Sequence, residues 1–473
     1  MCMENIRPSL RGRPDWVSTL IVTVVCISLF GGLFFKPSYP GSWYDYQRLF
    51  ELVVLTITSC MVPFVSLKRV SHLPEVVVGC VLVGSVFVAM HVEYPRYILI
   101  EVLCLSLLVC SAVFWSAFLQ GRVNAKLLLI SVWLSVLLYI FFRLIWCVAA
   151  LSQGLSLDPF SFFDGFVNPR FFGAWVTLSW PFLLVFPQNK KLLPSGWKGR
   201  VGVLVAAVWW AFAIFSGSRA TWLSIFLVVL IVYFCGAVGR KISAKAILAM
   251  FLGFVLHQIF FISLAEFFTG GVAWNGIHRL RDGLSLSSRD VLWVVALEGI
   301  SEAPFFGKGP MVFAATNNGV ASTAHNFILQ LAYEWGLPFA LFVFWVAASW
   351  VWNQYRLCRI EQSPLRIVLW MSVVGAMVEG QLDGLFSAPH SQLLFCALFA
   401  WILSLDLQGR GQDKSERKLW GLMRFFPFLM AICLWVAVSP ELSDLDGWEN
   451  ETLVQTGVNY FQPRFWLQGV IFH

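Results

Sequence analysis

The sequence predicts an all-α polytopic integral membrane protein of about 12–13 transmembrane helices, with one long external loop carrying short surface helices. Three observations predict it. Hydrophobic residues make up 59% of the 473-residue chain and charged residues only 12%. Apolar runs long enough to cross a hydrocarbon core of ~30 Å recur from end to end. Lys and Arg gather in alternate short loops, as they do when basic segments are retained in the cytoplasm during insertion.

Taken in order, the first run, 17–35, follows Arg7, Arg11 and Arg13 as a secretory leader would. Lys36-Pro-Ser-Tyr-Pro-Gly then stands where a small-residue cleavage site belongs, so the run is read as a helix. Runs at 49–67, 76–91, 97–119 and 127–150 follow, each separated from the next by a polar or basic link. The run at 171–187 opens after Asn168-Pro169-Arg170. Those at 201–215 and 220–238 are too long together for one span, so Ser216-Gly-Ser-Arg219-Ala marks a sharp turn. Further runs lie at 246–264, 327–351, 366–386, 389–405 and 420–439. Residues 1–439 are thus expected to form one transmembrane bundle and 440–473 a short external tail, acidic at first (Glu441, Asp444, Asp446, Glu449, Glu451).

The basic residues orient the bundle. Arg7, Arg11, Arg13, Lys68, Arg69, Arg122, Lys126, Lys190, Lys191, Lys198, Arg200, Arg240, Lys241, Lys245, Arg356, Arg359, Arg366, Arg410, Lys414, Arg417 and Lys418 fall on one side; they are 21 of the 33 Lys and Arg. That side is cytoplasmic with the N-terminus, and the loop at 265–325 is external. The net charge of +7 therefore reflects topology, and no nucleic-acid partner is expected. The eleven cysteines lie nearly all inside spans with no Cys-x-x-Cys pair, which argues against disulfides and zinc. Trp16, Trp43, Trp175, Trp274 and Trp448 stand at span ends as interfacial anchors.

The chemistry gathers on the external side. Within Glu266 to Ala324, Ser287-Ser288-Arg289-Asp290 reads as a cap on the apolar stretch Val291 to Ile300, which stops at Pro304 and the Gly307-Lys-Gly309 turn; a surface helix fits it. Arg219 among serines and a glycine, Arg289 at a helix start, and Arg170 at a span entry are anion-binding candidates. Plainer readings are snorkelling for Arg219 and Arg170, and pairing with Asp290 or Glu298 for Arg289. His325 stands at the mouth of the apolar run Phe327 to Trp350, poised for proton transfer on one side of a bilayer. Asn326 can orient an imidazole or a sugar hydroxyl, and Gln330 lies near one turn on. Glu334 is an ionisable group inside the bilayer that must be paired or used. Glu379 and Asp383, four apart, are expected on one helix face, before His390. Arg143 and His257 are expected to satisfy each other or buried carboxylates within the spans. The first external loop, Lys36 to Arg48, has only Asp45 and lacks the paired carboxylates of a cation-dependent site; Asp444-Leu-Asp446 in the tail is a loose exception.

The order Asn-Pro-Arg-Phe-Phe-Gly (168–173), Ser-Gly-Ser-Arg-Ala (216–220), Ser-Ser-Arg-Asp-x-Leu-Trp (287–293), Pro-Phe-Phe-Gly-Lys-Gly (304–309), His-Asn-x-x-Leu-Gln (325–330) with Glu334-Trp-Gly336, and Asp383-Gly-x-x-x-x-Pro-His390-Ser-Gln392 resembles the O-antigen ligase superfamily: O-antigen ligases, O-antigen polymerases and bacterial pilin O-oligosaccharyltransferases. The resemblance covers roughly residues 165–405. It implies transfer of a glycan from an undecaprenyl pyrophosphate carrier to an acceptor hydroxyl, at the periplasmic face of the bacterial inner membrane and without a nucleotide sugar or other cofactor. His325 is then the expected general base, with Arg219 and Arg289 gripping the pyrophosphate. Arg170, Asn326, Gln330, Glu334, Asp383 and His390 are the expected substrate-binding residues, and no metal site is expected. Pilin or another protein, lipid A core and a growing glycan all remain open as acceptors, so ligase and polymerase are both open. A lipid-linked glycan flippase, with Arg143, His257 and Glu334 lining a path, is the different-class reading; the one-sided motifs and the lack of an internal repeat weigh against it.

Overall fold

The computed structural model describes residues 42–61, 93–185, 195–271, 273–277, 288–316, 318–407, 425–445 and 462–469, with a few isolated positions besides. The described residues are helical, with no strand among them. The expected runs at 17–35 and 76–91 lie outside them, apart from isolated positions.

Helix α1 spans Trp43–Met61, starting ahead of the run expected from 49. The cause is local: Ser42 and Asp45 form a reciprocal cap, in which the Ser42 N–H donates to Asp45 Oδ2 (3.2 Å) and the Asp45 N–H donates to Ser42 Oγ (3.2 Å). Arg48, expected in a loop, is therefore buried within α1 against Glu51. Helices α2 (Pro95–Leu119) and α3 (Arg122–Ser152) follow. Asp158 caps a single turn, α4 (Pro159–Phe162), through the Ser161 N–H at 2.9 Å. Asn168 caps α5 (Pro169–Leu183) with Pro169 in its first turn. Next come α6 (Ser195–Phe215), α7 (Arg219–Tyr233) and α8 (Gly236–His257). A π-helical stretch, Gln258–Ser263, carries α8 into α9 (Leu264–Thr269), giving a continuous 34-residue rod from Gly236 to Thr269. Arg240, Lys241 and Lys245, expected between spans, thus lie inside this rod.

Helix α10 (Arg289–Glu302) forms over the stretch where a short helix is expected. Ser288 precedes it in the left-handed region (φ 62°) with no side-chain cap bond, contrary to the expected serine cap. After a 3-10 turn, Val312–Ala315, come α11 (Phe327–Trp335) and α12 (Leu337–Glu361). The single span expected over 327–351 is thus two helices, broken at Gly336 (φ 87°, ψ 155°). Helices α13 (Pro364–Glu379), α14 (Pro389–Leu407) and α15 (Phe426–Leu442) complete the bundle.

Among the described residues five helical segments have the length and apolar character to cross a membrane: Pro95–Leu119, Val123–Ser152, Gly236–Thr269, Leu337–Glu361 and Pro389–Leu407. Gly199–Phe215, Arg219–Tyr233 and Phe426–Leu442 are shorter apolar helices. The outer faces are apolar, Leu341, Phe342 and Trp345 on α12 being 56%, 59% and 65% exposed, as suits a helix bordered by hydrocarbon rather than water. The interior holds two main cores. One gathers Trp175, Trp180, Trp209, Trp370 and Trp401 from α5, α6, α13 and α14. The other packs α1, α2, α11 and α15 around Phe465 and Trp466. The expected boundary at 439 therefore falls inside α15, and residues 462–469 return into the bundle.

Candidate active site

Three helix N-termini and two loops meet at one end of the bundle. Arg170 is in the first turn of α5, Arg219 opens α7 and Arg289 opens α10, so each guanidinium adds to the positive end of a helix dipole. His325 ends the loop before α11, and Asp383 lies in the turn after α13. The Asn168 cap aims Arg170. The turn Ser216-Gly217-Ser218, with Gly217 at φ 67°, sends the chain back from α6 into α7 and leaves Arg219 half-buried at the helix start.

His325 Nδ1 lies 3.6 Å from Asp383 Oδ1 and 3.4 Å from Thr323 Oγ1, and the Arg289 guanidinium lies 3.8 Å from Asp383 Oδ2. One carboxylate therefore faces the imidazole with one oxygen and a guanidinium with the other. His325 adopts φ 47°, and its ring packs against the backbone at Gly384, where a Cβ would stand in ordinary contact 3.4 Å from His325 Nδ1. The side chain keeps 21% of its surface exposed. Partial desolvation holds the imidazole below its ordinary proton affinity; Asp383 opposes that, and Arg289 and Arg170 add to it. The ring is thus neutral at pH 7, and the tautomer that carries its proton on Nδ1, the nitrogen facing Asp383 and Thr323, leaves the lone pair on Nε2. Burial likewise weakens the hold of Arg289 on its proton, Asp383 offsets this, and Arg170 and Arg219 deepen it. Arg289 Nε is buried with no acceptor among the described residues. A donor buried without a partner beside two further guanidiniums is suited to an anion.

Beneath the cluster sits Glu379, fully buried. It accepts from Thr177 Oγ1 on α5 and from Thr221 Oγ1 on α7 (2.7 Å), and Thr221 stands 2.9 Å from Ser218 Oγ. Its backbone carbonyl accepts from Leu382 N (2.8 Å) and Asp383 N (2.9 Å), and Gly384 N donates to Asp383 Oδ1 (2.8 Å). Glu379 thus joins the elements that bear Arg170, Arg219 and Asp383. Helix α13 ends at Glu379, so Glu379 and Asp383 do not share the expected helix face: one anchors, the other faces the site.

Of the expected site residues, His325, Arg289 and Asp383 come together with Arg170 and Arg219 in electrostatic reach. Asn326 caps α11, accepting from Leu329 N at 3.0 Å. Glu334, Gln330 and His390 have partners in the scaffold instead. Glu334 is buried and receives two hydrogen bonds from Arg464 Nη2, at 3.0 and 2.8 Å. The Gln330 amide lies beside the Glu334–Arg464 pair, where its nitrogen can donate to Glu334 Oε1 (3.3 Å) or, with the amide turned over, its oxygen can accept from Arg464. His390 has both ring nitrogens engaged, with Gln47 Oε1 at 2.9 Å and the Phe171 carbonyl at 3.2 Å. Arg143 and His257 do not pair with each other: Arg143 donates to the Phe162 carbonyl (2.9 Å) and faces the carboxylate of Asp164 (3.9 Å), which is exposed and not buried as expected, while His257 Nδ1 lies against Gln258 (3.4 Å).

Arg464 and the buried loop around it escaped the sequence reading, as did Tyr44 and Arg48. A signal was present: Glu334 requires a cation, and Arg464 is an arginine in an apolar stretch outside every span. Among the described residues no group of three or more His, Cys, Asp or Glu side chains converges as a metal site would require. Residues 202–345 match the family model described as O-antigen ligase; the match runs from α6 into α12 and holds Arg219, Arg289 and His325. No curated protein matches the chain.

Proposed function

The chain belongs to the O-antigen ligase superfamily, and on that premise we propose that it transfers a glycan from undecaprenyl pyrophosphate to an acceptor hydroxyl at the periplasmic face of the bacterial inner membrane. The observation that carries this reading is the sharing of Asp383 between His325 and Arg289, beside Arg170 and Arg219. A neutral base and a concentration of fixed positive charge stand together, which is what displacement of a pyrophosphate by a hydroxyl requires.

In the proposed step His325 Nε2 takes the acceptor proton as the hydroxyl oxygen bonds to the anomeric carbon. The carbon–oxygen bond to the carrier breaks, and its electron pair passes to the pyrophosphate. Asp383 steadies the imidazolium that forms. Arg289 and Arg219 meet the charge arriving on the leaving oxygens, each such donor contributing about 3–4 kcal/mol in a dry site. A single displacement inverts the anomeric configuration, and with arginines meeting the leaving charge the step runs without a metal ion. A pilin or other protein, or the lipid A core, is the acceptor in the ligase reading; a growing glycan is the acceptor in the polymerase reading.

Purified protein in detergent has no membrane to cross, so product formed there from undecaprenyl-pyrophosphate glycan and an acceptor is chemistry. The expected result is transfer without nucleotide sugar or ATP. Glycolipid scrambling in liposomes, with no transfer to any of the three acceptor classes, would replace the enzyme with a flippase.

A further inference from the structure

The segment Gln462–Gly469 lies far along the sequence from the candidate site, yet it is built into its support. Gln462, Arg464, Phe465, Trp466, Leu467 and Gln468 are each 5% exposed or less. The segment closes on itself through Gly469 N to Gln462 O (3.0 Å) and Arg464 N to Trp466 O (3.1 Å). Leu467 N donates to Asp45 at the start of α1 (2.8 Å), and Trp466 Nε1 donates to Glu441 at the end of α15 (2.9 Å).

From this buried loop two sets of bonds run to the two halves of the His325–Asp383 contact. On the His325 side, Ser322 Oγ donates to the Gln462 carbonyl (2.8 Å) three residues before the histidine, and Arg464 grips Glu334 on α11, which begins just after it. On the Asp383 side, Arg48 Nη2 donates both to the Arg464 carbonyl (3.2 Å) and to the Ser387 carbonyl (2.8 Å) in the turn that follows the aspartate. One direct backbone bond, Phe327 N to Gly380 O (2.9 Å), joins the two loops; the strap holds their other ends. Arg464 also reaches Glu101 on α2 (3.0 Å), so its guanidinium serves two carboxylates on two helices. Resting on the transfer reading above, we infer that this strap sets the register of His325 against Asp383, and that Arg464 is a positioning residue for the base.

A residue that only stabilised the bundle would lower activity equally at every pH. A positioning residue should also move the titration of His325, which faces Asp383, Arg289 and Arg170 together with the Thr323 hydroxyl. Asp383 raises the proton affinity of the ring, so slackening their contact should move its midpoint to lower pH.

The test uses the full-length protein in detergent and two readings: transfer rate against pH, and carbethoxylation of His325 by diethyl pyrocarbonate against pH, followed by peptide mass spectrometry. The second needs no substrate. Arg464→Ala is expected to lower kcat about 10- to 100-fold and to shift both midpoints to lower pH, with Arg464→Lys restoring part of each. If Arg464→Ala does not fold, Glu334→Met/Arg464→Met removes the fully buried pair and leaves only Glu101, which reaches solvent, without its cation; the same shift is expected. Folded variants whose His325 midpoint equals that of the wild type would overturn the positioning role. A wild type that makes no product while the modification midpoint still shifts would fail the transfer reading alone.

Discussion

His325 carries the most testable claims at the scale of single residues. His325→Ala should abolish transfer at near-normal membrane levels, because removing a partly exposed ring at a loop end leaves no core cavity; wild-type turnover in that variant would end its role as base. The imidazole is held below its ordinary pKa of 6.5. A base that works only when neutral is active above its folded pKa and silenced as pH falls through it. The acid limb of kcat/KM should therefore have its midpoint below pH 6.5, and Asp383→Asn should move it lower still; a midpoint above 6.5 would contradict the environment described. At the anion clamp, Arg289→Ala and Arg219→Ala should each cost on the order of 100-fold in rate, with Lys restoring only part, since an ammonium lacks the paired donors. Equal rates in the Ala variants and the wild type would reduce Arg219 to a lipid anchor and Arg289 to a structural partner of Asp383.

At the scale of elements, Glu379 and the glycine contact above it decide how close α5, α7 and α13 can come. A Cβ on Gly173 would stand 2.3 Å from Thr221 Oγ1 and 2.8 Å from Ser218 Oγ, the groups beside the Glu379 carboxylate. Gly173→Ala must displace the Thr221 and Ser218 side chains or push α5 from α7, and either disturbs the Glu379 bonds that hold the elements bearing Arg170 and Arg219. Overpacking of this kind costs about 1–3 kcal/mol, so the thermal midpoint should fall modestly while transfer falls more than tenfold; loss of stability with the rate per folded molecule unchanged would separate the contact from catalysis. The expected single span over 327–351 fails at this scale too. Its apolar run carries the sign of a break in Gly336-Leu337-Pro338, and the fold uses it: the Phe305 carbonyl lies only 2.1 Å from where a Cβ on Gly336 would stand, so only glycine fits against the loop packed there.

Across the whole molecule, the guanidiniums come from three separate elements, and in the proposed reaction they meet the leaving charge that a cation would otherwise meet. Transfer is expected to persist in EDTA. Activity that vanishes there and returns with magnesium or manganese would keep the enzyme and remove the arginine mechanism.

Composition, apolar run length and the sidedness of Lys and Arg were sufficient for the membrane class, because a segment in hydrocarbon must be long, apolar and internally hydrogen-bonded whatever its neighbours. Short motifs around Arg219, Arg289 and His325 were legible for a related reason: polar residues beside long apolar runs stand out on one side of a bilayer. Partnership was not legible. Glu334 required a cation, but the choice of Arg464, some 130 residues away, was made by the fold, as was the placement of Asp383 between His325 and Arg289. His390 and Gln330 carry the same chemistry as the residues gathered at the candidate site and differ in what packs against them. A buried charge is assigned by whichever opposite charge the tertiary structure brings within about 4 Å, and no spacing along the chain contains that distance.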